Sequence, residues 1–125
     1  MYMYRKVSEY LEQWKASKYR KPLIIQGARQ VGKTYAILEF GRQHYDNVVY
    51  FNFQTSESIS ATFEENISPS YLLPILAHIS GRTITKGNTL IVFDEIQLCE
   101  RAVASLKYFC EEAPEYHVIA AGSLL

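Results

Sequence analysis

GARQVGKT, from Gly27 to Thr34, is the stretch on which the reading of this chain turns. It fits G-x-x-x-x-G-K-[ST], the pattern of a loop whose backbone cradles phosphate. Gly27 and Gly32 allow backbone angles and a close approach that a Cβ would block. Successive N–H groups through Ala28, Arg29, Gln30 and Val31 can then face one anion-sized concavity. That concavity would lie at the positive end of a helix beginning near Lys33. Lys33 adds a mobile point charge for the β- and γ-phosphates, and the Thr34 hydroxyl suits Mg²⁺.

The pattern has meaning only between a strand and a helix, and both are expected. Leu23–Gln26, just after Pro22, reads as a short buried strand running into the loop. Beyond Lys33, the residues Ala36, Ile37 and Phe40 fall on one helical face, with Gly41 as a C-terminal stop. Upstream, Val7, Tyr10, Leu11 and Trp14 predict an amphipathic helix over 5–17.

Downstream, NVVYFNF (47–53) is a strand by its β-branched and aromatic content. A short helix presenting Ile59 and Phe63 follows. The next helical piece lies between Ser68 and Gly81, apolar at Leu72, Ile75, Leu76 and Ile79, with Pro74 implying a late start or a kink. RTITKGNT is either a loop or half of a small hairpin. Glu100–Glu112 is a helix with Ala102, Val103, Leu106, Phe109 and Cys110 inward, and YHVIAAGS (116–123) is a last buried strand. Strands apolar on both faces, separated by helices, indicate a parallel sheet covered on both sides.

TLIVFDE (89–95) supplies the second functional element. Its apolar residues end in Asp94 and Glu95, at the C-terminal end of a buried strand, where open α/β sheets hold ligands. Asp94 is placed to hold Mg²⁺ through water, and Glu95 to polarise an attacking water as general base. In VIAAGSLL, the Gly122-Ser123 pair either makes a turn or presents a polar side chain beside a γ-phosphate. His44, His78 and His117 have no ligand spacing and are structural or surface residues.

At 125 residues, 48% hydrophobic and 21% charged, the chain has the size and composition of one globular domain. A formal net charge of zero, from 13 basic and 13 acidic residues, gives no general attraction to nucleic acid or membrane. Residues 1–21 do hold six Lys/Arg against two Glu, read as a solvated basic helix. No signal peptide or apolar run of membrane-spanning length is present, and Cys99 and Cys110 match no metal or redox spacing. A cytoplasmic protein with reduced thiols is expected. There is no N-K-x-D, the base-reading motif of GTPases, which leans the base towards adenine. Helix 5–17 and the Arg20–Pro22 segment either wall a base pocket or, for the helix, only pack on the sheet.

GARQVGKT, TLIVFDEIQ, LKYFCEEAP and VIAAGSLL together make the chain resemble the N-terminal part of a family of bacterial and archaeal AAA-type ATPases. These combine a G-x-R-Q-V-G-K-T loop, a D-E-I-Q Walker B motif and a strand ending A-G-S-L-L. The resemblance implies ATP and Mg²⁺ at Gly32, Lys33, Thr34 and Asp94, catalysis at Glu95 with Lys33, and a sensor role for Ser123. It implies a three-layer α/β/α P-loop NTPase fold, mainly parallel, in the order 5-1-4-3-2. The core would span residues 22–125 within one domain over 1–125. Four of those strands are predicted, so the expectation is a fragment stopping after the fourth. Such a fragment would leave the Leu23–Gln26 edge open to self-association or to a missing C-terminal domain, and would turn over ATP slowly. Nucleic acid would be reached only through missing regions. Two other functions remain compatible with these motifs: a P-loop kinase for a small acceptor, and a nucleotide-gated switch with incidental hydrolysis.

Overall fold

The computed structural model describes residues 2–27 and 32–123. Along the chain run α1 (Tyr2–Ala16), β1 (Leu23–Gly27), α2 (Lys33–His44), β2 (Asn47–Asn52), α3 (Glu57–Glu65), α4 (Pro69–Ser80), β3 (Thr89–Asp94), α5 (Glu100–Glu112) and β4 (His117–Ser123). Every strand pairing is parallel and the sheet order is β1-β4-β3-β2, the 1-4-3-2 portion of the order implied by the motifs.

Alternation along the strands feeds two cores. Leu90, Val92, Ile119 and Ala121 face α1 and α2, meeting Leu11, Ile37 and Phe40. Ile91, Phe93, Val118 and Ala120 face α3, α4 and α5, meeting Phe63, Leu72 and Phe109. All six residues of β3 are buried, as a central strand covered on both faces requires. The result is an α/β sandwich of three layers. Cys99 is buried, and neither it nor Cys110 is in a disulfide.

Several expectations change in detail. α1 spans Tyr2–Ala16 rather than 5–17. β1 is covered on one face only: Leu23 and Ile25 join the core under α1 and α2, while Ile24 is 48% exposed. The other core contains no β1 residue, because its helices lie over β2, β3 and β4. α2 does not stop at Gly41 but continues to His44, with Gly41 buried against Val48 and Leu90. α4 starts at Pro69, which suits a first-turn position, and continues past Pro74 to Ser80. Its buried stripe is narrow, and Ile79 stays exposed. In α5 the buried positions are Ala102, Ser105, Leu106 and Phe109. Ser105 tolerates burial by donating its hydroxyl to Ala102 O, and Val103 is left outside. Residues 83–88 form a loop and no strand.

Candidate functional site

The parallel register brings the strand ends to one rim: Gly27 lies beside Ser123, and Asn52 beside Asp94. Gly32 stands before α2 in a left-handed conformation (φ 74°), which only glycine adopts at no steric cost. The helix therefore begins at once with Lys33 and Thr34. The Lys33 ammonium donates to Gly122 O at 2.9 Å and to Gly27 O at 3.3 Å, so it sits across the ends of β4 and β1. Thr34 Oγ1 donates to Asp94 Oδ2 at 3.0 Å. Of the loop residues expected to hold phosphate, Ala28, Arg29, Gln30 and Val31 lie outside the described residues.

Asp94 is 4% exposed and closes β3. Its Oδ2 also accepts a 2.5 Å hydrogen bond from the Tyr50 hydroxyl, and its Oδ1 accepts one from the Glu95 N–H at 2.9 Å. Burial, and then the bond to Asp94, pushes the Tyr50 phenol up to about 12, so it remains a donor across the physiological range. Asn52 Nδ2 supports the phenol oxygen at 3.2 Å.

Glu95 is not a strand residue. Its φ of 54° makes it the one non-glycine residue with positive φ among those described, a conformation costing about 1–2 kcal/mol for an L-residue. Backbone strain of this kind clusters where geometry serves a function. The turn is held by Leu98 N–H on Glu95 O at 3.1 Å and by the burial of Ile96. Gln97, one residue on, donates Nε2 to Glu95 Oε1 at 2.8 Å and accepts the Ser123 N–H on Oε1 at 3.3 Å. The Ser123 hydroxyl is buried and has no hydrogen-bond partner among the described residues.

The rim thus gathers Gly27, Gly32, Lys33, Thr34, Asp94, Glu95 and Ser123, all singled out from the sequence. Tyr50 and Gln97 were missed. Alternation in NVVYFNF puts Tyr50 and Asn52 on one face of a strand, but only the strand order shows which carboxylate they reach. Arg20–Pro22 does not wall this rim. Arg20 is tied to Lys15 O and Pro114 O, at the far end of the sheet.

A comparison with protein-family models matches residues 19–125 to the AAA domain. The chain belongs to the AAA domain family. Membership carries a nucleotide-binding function of the ATPase type, and the rim at the C-terminal strand ends is where an open α/β sheet would host it. No curated protein matches the chain. The described residues contain no helix long and apolar enough to cross a membrane.

Mg²⁺ is the metal that such a function implies. Among the described residues no cluster of three or more His, Cys, Asp or Glu side chains could hold a metal. Mg²⁺ does not need one, since it is commonly bound by one or two carboxylates together with substrate phosphates and water. Thr34 Oγ1 and Asp94 Oδ2, hard oxygen donors 3.0 Å apart, fit that requirement.

Proposed function

We propose that this AAA domain binds MgATP at the rim and transfers its γ-phosphoryl group to water. The observation that carries the reading is the convergence of Lys33, Thr34, Asp94 and Glu95, from α2 and the end of β3, at the C-terminal end of the sheet. In this reading Lys33 keeps its 2.9 Å bond to Gly122 O and turns its remaining donors, including the one on Gly27 O, to phosphate oxygens. Thr34 and Asp94 hold Mg²⁺, which when bound neutralises charge on the phosphates. Glu95 accepts a proton from the attacking water, and the Ser123 hydroxyl, which has no partner among the described residues, supplies a donor towards the transferred group.

Nucleotide linkage tests this directly. A ligand at a hundredfold over its dissociation constant stabilises the folded state by about 2.7 kcal/mol. MgATP or MgADP should raise the melting temperature by several degrees, and Lys33→Ala should remove most of the rise. An equal rise in both proteins rejects the site. Phosphate released to water supports hydrolysis, whereas a phosphorylated acceptor supports the kinase reading.

β1 forms one edge of the sheet and exposes Ile24, with no Pro or Lys within the strand. Such an edge invites a further strand. The proposal is pairing with a second copy, seen as concentration-dependent sedimentation that Ile24→Lys abolishes. A monomer at every concentration rejects it.

A further inference from the structure

We infer that Gln97 is a positioning residue for hydrolysis, locking the Glu95 carboxylate to the same peptide unit that anchors Lys33. This deepens the hydrolytic reading above and rests on it. The peptide unit is the one joining Gly122 to Ser123. Its carbonyl accepts the Lys33 ammonium at 2.9 Å, and its N–H donates to Gln97 Oε1 at 3.3 Å. Gln97 Nε2 then donates to Glu95 Oε1 at 2.8 Å. A continuous chain of hydrogen bonds therefore runs from the phosphate-binding cation to the general base. A peptide unit is planar and rigid, so the two side chains are referenced to opposite edges of a single plate. Polarisation along such a chain strengthens each member.

The amide orientation follows from the network. Reversed, Gln97 would set its NH₂ against the Ser123 N–H and its oxygen against a carboxylate, donor on donor and acceptor on acceptor. The clamp also answers a need of Glu95. The left-handed backbone at Glu95 fixes where the side chain starts, but several rotatable bonds separate that point from the carboxylate. Gln97 fixes the other end.

Gly122 makes the clamp possible. A Cβ at residue 122 would stand 2.6 Å from Gln97 Oε1, while its next contacts, Gln97 Cδ and Ile96 Cγ2, are at an ordinary 3.7 Å. Gly122→Ala therefore displaces the tip of one flexible side chain and little else. It attacks the clamp from the strand side, independently of any substitution at Gln97.

The experiment measures release of labelled γ-phosphate by the whole chain, together with the MgATP-induced thermal shift. Gln97→Leu, close in volume but without polar atoms, should lower kcat on the order of ten- to hundredfold, with KM and the thermal shift unchanged. Gly122→Ala should do the same. Gln97→Glu can still accept from Ser123 N–H but cannot donate to a carboxylate, so it should not restore kcat. In a Glu95→Gln background, Gln97→Leu should cost nothing further, because its effect passes through Glu95. Wild-type turnover retained in both Gln97→Leu and Gly122→Ala overturns this inference alone, as does an equal loss with and without Glu95. Absence of phosphate release from the wild-type chain overturns the hydrolytic reading and this inference with it.

Discussion

The two ends of the sheet carry polar clusters of similar size and opposite character. At the N-terminal end, Tyr45 and His117 are buried, and the Tyr45 hydroxyl meets His117 Nδ1 at 2.6 Å. Trp14 packs edge-on against the imidazole and donates to Lys21 O, while Arg20 is pinned to backbone carbonyls on both sides. At the C-terminal end, Lys33 rests on two carbonyls, Asp94 collects two hydroxyls on one oxygen, and the Ser123 hydroxyl has no partner among the described residues. Aromatic rings enclose the Tyr45–His117 bond, which would go unreplaced if broken, while the Trp14 and Arg20 bonds around it lie nearer solvent. In the proposed reading the second cluster lies at a rim where phosphate and a hydrated cation replace some of the bonds, so the same hydrogen-bond chemistry would make a lock at one end and a ligand site at the other.

The largest effect that would break this comparison is on turnover. Glu95→Gln removes a base without removing a phosphate contact, so hydrolysis should fall by about 10²–10⁴ while nucleotide binding is nearly unchanged. Asp94→Asn should instead weaken the Mg²⁺ dependence of binding. Single-turnover assays beside nucleotide titrations separate the two, and a Glu95→Gln chain with wild-type turnover would remove catalysis from the rim.

Next in size is the pH response of the sealed end. Burial, with Arg20 and Lys15 nearby, lowers the His117 imidazole to about 4. The unfolded chain then binds this proton at a higher pH than the folded one, so the neutral imidazole favours folding above the ordinary histidine range. Stability should fall as pH drops from about 6.5 towards 4, by at most about 1.4 kcal/mol per pH unit from this group. Urea titrations across that window should show the slope flattened in His117→Gln. An unchanged slope would mean that the imidazole is not held neutral. Nucleotide binding should be unaffected, because the sheet lies between the two clusters.

The sequence carried the fold well, because strongly patterned elements leave few choices. The TLIVFD run can only be a central strand, and glycine-lysine-threonine after a strand fixes where the site must lie. What it could not carry was lateral order and the choice of side chain at a helix flank. Ser105 replaces Val103 in the core of α5 because a hydroxyl can satisfy itself on Ala102 O, a possibility that hydrophobic periodicity does not weigh. Ile24 looked buried because apolarity signals burial without saying how many faces are covered. Tyr50 was invisible as a site residue for a related reason, since only strand pairing brings it to Asp94. Gln97 stood inside the quoted D-E-I-Q motif, but the left-handed turn that carries it back to Glu95 was not legible there.

Two tyrosines sharpen the comparison to its finest grain. Tyr45→Phe would remove the hydrogen-bond partner of a buried imidazole nitrogen, a loss of about 1–3 kcal/mol in stability with no dependence on metal or nucleotide. Tyr50→Phe should behave differently. Its hydroxyl and that of Thr34 both donate to Asp94 Oδ2, which leaves that oxygen little capacity for a cation or its water. Removing the phenol therefore destabilises the metal-free arrangement relative to the metal-bound one. The effect should be about 1 kcal/mol, because Tyr50 is partly exposed and water can replace its bond. Mg²⁺ titrations of the ATP-dependent thermal shift should show half-saturation at a lower metal concentration, roughly fivefold, with a slightly lower melting temperature in the absence of metal. Half-saturation at a higher concentration would reverse the assignment. Tyr50 would then be holding Asp94 in its metal-binding orientation, and that part of the rim would be a lock like the one at the opposite end of the sheet.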